Sequence, residues 1–331
     1  VPPNILMNLA IGGLTMRTIR LGNSDLEVSE LSLGCLYFGA RDSQTDSFDR
    51  LYQYIEGGGN FLDTANIYSH WINDAARGGE SEEMLGLWIK QSGLRNHVVL
   101  ASKLGFPYPG TSAGLSAGQI EKECDKSLKR LGVDTIDLYY AHVDDYNTPV
   151  EETMNTFNRL IRAGKIRALG ASNFKAWRLE ESLGVCERNN WTSYCCVQQR
   201  YSYLRPKSGW NFGGQKAAND DLLEYVKARN LTLLAYSPLL NGAYTDPAKK
   251  FQPQYIGPDS EARLAVLHEV RCELGCPANQ LVYAWLLQSD PPAIPLVASS
   301  NRAQLEESLA AVKITLSEEQ LHRLSEAKDI V

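Results

Sequence analysis

The chain contains no run of about 18 apolar residues, so the sequence offers no transmembrane helix. It has no excess of positive charge either: 33 Lys and Arg against 39 Asp and Glu leave a net charge of −6. That balance argues against a general nucleic-acid binder and against a basic protein of the membrane surface. A disulfide framework is also missing. The seven cysteines are odd in number and scattered, which reads as reduced thiols in a cytosol-like compartment, and a cytoplasmic protein is expected. Cys272 and Cys276 stand four apart, but no second Cys/His pair completes a zinc site, so no metal is expected. The first fifteen residues lack the basic n-region and long apolar h-region of a secretory signal. Residues 1–15 are therefore read as an extension or leader ahead of one domain spanning 16–331. No Gly/Ser-rich linker, tandem repeat or low-complexity tract divides that domain.

What is present is an ordinary globular composition, 44% hydrophobic and 22% charged over 331 residues, enough to bury a large core. Short apolar runs bounded by Gly, Asn, Asp or Ser alternate with amphipathic stretches. A hairpin over Thr18–Arg20 and Glu27–Val28 is followed by eight predicted strands: Leu31–Gly34, Asn60–Asp63, Val98–Lys103, Ile136–Tyr140, Ala168–Ser172, Cys195–Gln199, Thr232–Ser237 and Ala293–Val297. Helices are predicted between them, with capping boxes at Ser116–Gln119 and Ser317–Gln320, an extra helix over Asn279–Gln288 and a terminal one over Ser317–Lys328. Eight strand–helix units predict a closed (β/α)8 barrel, an α/β TIM barrel with an N-terminal β-hairpin and a C-terminal extra helix. An open doubly wound sheet is the alternative, but Gly34–Gly39 does not supply a Gly-x-Gly-x-x-Gly turn. Two long irregular stretches, Ser202–Ala218 and Leu240–Ser260, have the length of functional lids.

In such a barrel the chemistry lies where the strands end. Asp63 ends the second predicted strand with Tyr68 five residues on; Lys103 ends the third, and His142 lies just past the fourth. Two of them alone have a plain structural reading: a solvated lysine and a core or rim tyrosine. Together, on three consecutive strand ends, they converge on one mouth. A phenol with a pKa near ~10 is a poor acid at neutral pH; a paired Lys⁺ would lower that value and make Tyr68 a usable proton donor. A neutral imidazole could orient a carbonyl. An alternative chemistry is a lyase forming a Schiff base on Lys103.

These residues, with Leu128–Leu138 leading into the histidine strand and Gly164–Phe174 around the fifth, resemble the aldo-keto reductase superfamily over Met16 to Lys328. The resemblance is to bacterial and fungal members and, more distantly, to the potassium-channel β-subunit branch. That branch keeps open a slow, cofactor-sensing regulatory role. The resemblance implies an oxidoreductase that moves a hydride between NADP(H) and an aldehyde, ketone or sugar, with Asp63, Tyr68, Lys103 and His142 catalytic and Tyr68 exchanging the proton. It implies coenzyme contacts from Cys35, Leu36 and Asp63, from Ser172, Asn173 and Gln198 at the carboxamide, and from Tyr236 stacking on the nicotinamide. It extends these to the pyrophosphate loop Ser237, Pro238, Leu239 and Gly242, and to Ser299, Arg302, Gln304, Glu307 and Ser308 at the adenosine end. Several relatives carry a cation where Ala298, Ser300 or Gln304 stands, so the expected preference for NADP over NAD is modest and rests on Arg302. Tyr37, Trp71, His142 and Trp210 are the candidate substrate contacts, with Phe38 and Phe212 beside them. The partner expected is a small carbonyl or alcohol, with oligomeric state left open.

Overall fold

A computed structural model describes residues 16–72 and 75–328; the expected extension, residues 1–15, lies outside the described residues. Strands β1 (Thr18–Arg20) and β2 (Glu27–Ser29) pair antiparallel as the hairpin. Eight parallel strands then close into a barrel. They are β3 (Ser32–Gly34), β4 (Phe61–Asp63), β5 (Val99–Leu104), β6 (Ile136–Ala141), β7 (Ile166–Ser172), β8 (Tyr194–Arg200), β9 (Thr232–Tyr236) and β10 (Ala293–Val297). The closure joins β10 to β3 through Leu296–Ser32 and Val297–Leu33. The open doubly wound sheet is thereby set aside.

Helices α1 (Gln44–Glu56), α2 (Glu80–Ser92), α3 (Ala117–Leu131), α4 (Val150–Arg162), α5 (Ala176–Asn189) and α6 (Asp220–Ala228) pack outside the strands. They are followed by α7 (Pro258–Leu274), α8 (Ala278–Gln288), α9 (Arg302–Leu309) and the terminal α10 (Glu318–Glu326). A large apolar layer lies between helices and sheet, and a smaller one, with Phe61, Val99, Leu138, Tyr140 and Leu234, fills the barrel. The hairpin seals its N-terminal end with Leu21, Leu26 and Val28. At its turn Gly22 has φ +53°, and a Cβ there would lie 2.0 Å from the Cys195 carbonyl oxygen, so only glycine allows this closure.

The expected boundaries hold to within a few residues, with instructive differences. The capping box at Ser317–Gln320 forms in both directions. The one at Ser116 does not: Gln119 turns back to the Ser112 carbonyl, and the Ala117 N–H donates to Glu152 Oε1 at 2.9 Å. A neighbouring helix has taken the role of the cap. Helix α7 opens with Pro258 at a first-turn position, where a missing N–H costs little. Among the described residues no helix is long and apolar enough to cross a membrane.

Candidate active site

Strand periodicity and register bring the expected residues together. Along β5 the side chains alternate: Ser102 faces outward to Glu82 Oε1 at 2.5 Å, and Lys103 faces the barrel interior. Gly34 on β3 pairs with Asp63 on β4, and Lys103 pairs with Tyr140 on β6, so Asp63, Lys103 and the residue after β6, His142, share one end. Lys103 Nζ, wholly buried, donates to Asp63 Oδ1 (2.5 Å), Tyr68 Oη (2.7 Å) and the Thr64 carbonyl (2.8 Å). Three acceptors exhaust the three donors of an ammonium group. Tyr68 Oη is 3.5 Å from Asp63 Oδ1, at the far edge of hydrogen-bonding distance, so its proton is only weakly held by the protein.

The loop that carries Tyr68 is pinned from behind. The Thr64 N–H donates to the Ala101 carbonyl and the Asn66 N–H to that of Lys103. The Asn66 side chain donates to Glu123 Oε2 at 2.8 Å, and Glu123 also accepts from Tyr108 and Lys126. Thr64 and Ser81 share a hydroxyl contact of 2.6 Å, and Ser81 continues to the Cys35 carbonyl.

The electrostatics depart from one expectation. Burial first, and then the Asp63 charge, push the Tyr68 phenol well above its ordinary value. The net shift is upward rather than downward, because burial outweighs the stabilisation that Lys103, 2.7 Å away, offers the phenolate. Burial pulls Lys103 down while Asp63 pulls it up. His142 is driven well below the ordinary imidazole range, by burial and then by the Lys103 charge, so the ring is neutral. Its Nδ1 is buried without a hydrogen-bond partner among the described residues. Phe106 meets the ring edge-on at 4.8 Å between centroids and Tyr68 at 5.9 Å.

Around this centre, Ser172 ends β7 in register with Gln198 of β8. Gln198 Nε2 donates to Asp63 Oδ2 at 2.9 Å. Asn173, with φ +63°, donates to the His142 carbonyl and Ser172 Oγ and accepts from Tyr236 Oη (2.7 Å) and the Lys216 N–H (2.9 Å). Tyr236 ends β9, and the loop after it is left-handed at Ser237, Leu240, Asn241 and Gly242. Pro238 and Leu239 lie between them. Cys35 is buried, its N–H bonded to the Asp63 carbonyl; the Leu36 carbonyl accepts from Ser69.

Other expected residues lie farther out. Trp71, 50% exposed, stands edge-on to Tyr68 at 6.4 Å. Tyr37 carries the Arg41 guanidinium over its ring at 3.7 Å, and Phe38 is buried in the outer core. Trp210 is 44% exposed in the loop over 202–218. At the start of α9, Arg302 is paired with Asp49 (2.8 Å) and Glu56 (3.9 Å) of α1. Gln304 Oε1 accepts from the Ser300 N–H, Ser308 Oγ donates to the Gln304 carbonyl, and the Glu307 carbonyl accepts from Gln280. Ser299 Oγ is buried without a partner among the described residues.

Sequence reasoning missed Phe106, Arg200 and Lys216. Arg200 lies under Phe212 (4.9 Å) and Tyr236 (5.6 Å) and donates to Gln215, tying the 202–218 loop to the stack. Strand periodicity could have found Arg200, which ends β8 two residues past Gln198; Phe106 lies beyond the end of β5 and carried no such signal. A separate groove of about 880 Å³ opens at the other end of the barrel. Within it Asp137 pairs with Arg95 and Arg167 at 2.9 Å each.

The profile of the aldo/keto reductase family matches residues 30–329. The uncharacterized oxidoreductase YrpG of Bacillus subtilis is 30% identical, covering 92% of this chain and 94% of its own length. Norsolorinic acid reductase stcV of Emericella nidulans is 29% identical, over 91% of this chain and 78% of its own length. Aldo-keto reductase yakc [NADP(+)] of Schizosaccharomyces pombe is 28% identical, over 96% and 92%. A matching profile over most of the chain, on a closed eight-stranded barrel, makes this protein a member of the aldo/keto reductase family, oxidoreductases acting on small carbonyl compounds.

Proposed function

We propose that the chain is an NADP(H)-dependent reductase of a small aldehyde, ketone or sugar, with Tyr68 as proton donor. The observation that carries this reading is the buried Lys103–Tyr68 contact of 2.7 Å, with the ammonium anchored on Asp63. NADPH, when bound, supplies the hydride. The residues available to hold it suit a nicotinamide coenzyme. Gln198 has an amide oxygen left over, and Tyr236 offers a ring at the strand end beside it. The loop after β9 is left-handed at Ser237 and at Leu240–Gly242, a conformation costly for non-glycine residues of the kind that marks ligand-binding turns. At the adenosine end Ser299 Oγ lacks a partner among the described residues.

Tyr68 then holds a proton toward the carbonyl oxygen, while Lys103 stabilises the phenolate left behind. Neutral His142 donates one N–H to the same oxygen and orients it. Phe106 and Trp71 wall the approach. The Schiff-base alternative needs a neutral amine, and three acceptors around Lys103 Nζ oppose that. A relative named for NADP(+) supports the coenzyme assignment. The test is a panel of carbonyls with NADPH and of alcohols with NADP⁺, followed at the reduced-nicotinamide absorbance. Turnover of at least one carbonyl class is expected; a panel with tight coenzyme binding and no turnover would favour the sensing role.

A further inference from the structure

We propose that Gln198 is a positioning residue of the proton-donating centre: its amide fixes Asp63, and that contact dictates which of its own atoms faces the coenzyme. The inference rests on the functional reading above. Asp63 is fully buried, and its two carboxylate oxygens have different partners. Oδ1 takes Lys103 at 2.5 Å and, more distantly, Tyr68; Oδ2 takes Gln198 Nε2 at 2.9 Å and has no other partner among the described residues. Asp63 sits on β4 and Gln198 on β8, so one side chain braces the carboxylate from across the barrel. The neighbouring amide cannot substitute. Both faces of the Asn173 side chain are committed, to Tyr236 and Lys216 on its oxygen and to His142 and Ser172 on its nitrogen.

A carboxylate only accepts, so the nitrogen of the Gln198 amide must face Asp63. Its oxygen is then the atom left for a ligand, which selects a donor, such as the NH₂ of a carboxamide, and disfavours a group without one. The same contact reaches Tyr68. The charged and titratable groups around that phenol are Asp63, Lys103, Cys35, His142 and Tyr236. A donor on Oδ2 draws Asp63 charge away from the phenol; without it, Tyr68 ionises less readily.

Two readouts test this. Dissociation constants for NADP⁺ and for its 3-acetylpyridine analogue, which lacks the carboxamide N–H, are measured by protein fluorescence quenching. The parent should favour NADP⁺ by about tenfold, as one hydrogen bond allows. Gln198→Met should bind the two alike, and Asp63→Asn, which frees the amide to turn over, should narrow the difference several-fold. In alcohol oxidation the rising limb of the pH–rate profile should move up by about half a unit or more in Gln198→Met. Should that variant fold poorly, Gln198→Asn, too short to reach Asp63, carries the same expectations. Parent-like discrimination in Asp63→Asn together with an unmoved limb in Gln198→Met would overturn the proposal. Failure of the functional reading shows separately, as turnover retained by Tyr68→Phe, and leaves the binding comparison intact.

Discussion

Lys103 sits between an acid and a phenol, 2.5 Å from Asp63 Oδ1 and 2.7 Å from Tyr68 Oη, with both Asp63 and Lys103 fully buried. Burial first, and then the Asp63 charge, hold the phenol high, and the ammonium, by stabilising the phenolate, keeps it from rising further. Replacing Lys103 by Met leaves Asp63 as an uncompensated negative neighbour, which disfavours ionisation of Tyr68 further. In alcohol oxidation, where the phenolate is the base, the rising limb should move to higher pH, with the rate at a fixed pH falling at least tenfold. Asp63→Asn should move it less, because losing the negative charge helps Tyr68 while losing the anchor weakens the ammonium. Profiles for the parent and both variants check this; an unmoved limb in Lys103→Met would show that the lysine does not tune the donor. The four residues were legible because acid, phenol, amine and imidazole recur at consecutive strand ends. The net sign of the electrostatics was not, since it depends first on how deeply the phenol is buried, which residue types do not encode.

Among elements, the contact of α1 with the start of α9 would bear on the coenzyme choice proposed above. Arg50 Nη1 donates to the Ser300 carbonyl and Gln53 Nε2 to that of Arg302, so α1 fixes the turn into α9. Asp49 and Glu56 on the same helix hold the Arg302 guanidinium, and both carboxylates would lie near a 2′-phosphate gripped by that arginine. An exposed pair of this kind is weak, so Arg302 can leave it, but the acids offset part of its attraction. NADP should be preferred to NAD by a modest factor; Arg302→Ala should lower the ratio of kcat/KM values, and Asp49→Asn should raise it several-fold. Ratios that neither change moves would remove Arg302 from coenzyme selection. Element types were readable from alternation and caps. What escaped was tertiary: the N-terminus of α3 is capped at Ala117 by Glu152, thirty-five residues on, and the partners of Arg302 come from the opposite end of the chain.

For the whole molecule, closing the barrel makes its mouth dry enough to strip His142 of its charge. The folded pKa lies below the unfolded value near 6.5, so below that pH the unfolded chain binds a proton that the folded chain refuses. This group therefore lowers stability as the pH falls from about 6.5, by up to roughly 1.4 kcal/mol per unit. Urea unfolding at pH 7 and pH 5.5 should show a larger loss for the parent than for His142→Asn; equal losses would mean a solvated imidazole. The global architecture was legible because a parallel barrel repeats one simple unit eight times. The loop over 202–218 was visible only as a gap in that pattern, though Gly214 passes so close to Phe106 that a Cβ would lie 2.7 Å from its ring. The central claim, that Tyr68 is the proton donor, is met most directly by Tyr68→Phe, which keeps the ring and removes only the hydroxyl. Measured with a carbonyl substrate and NADPH, kcat should fall by at least a hundredfold while the coenzyme dissociation constant changes less than about threefold; turnover within a few-fold of the parent would contradict it.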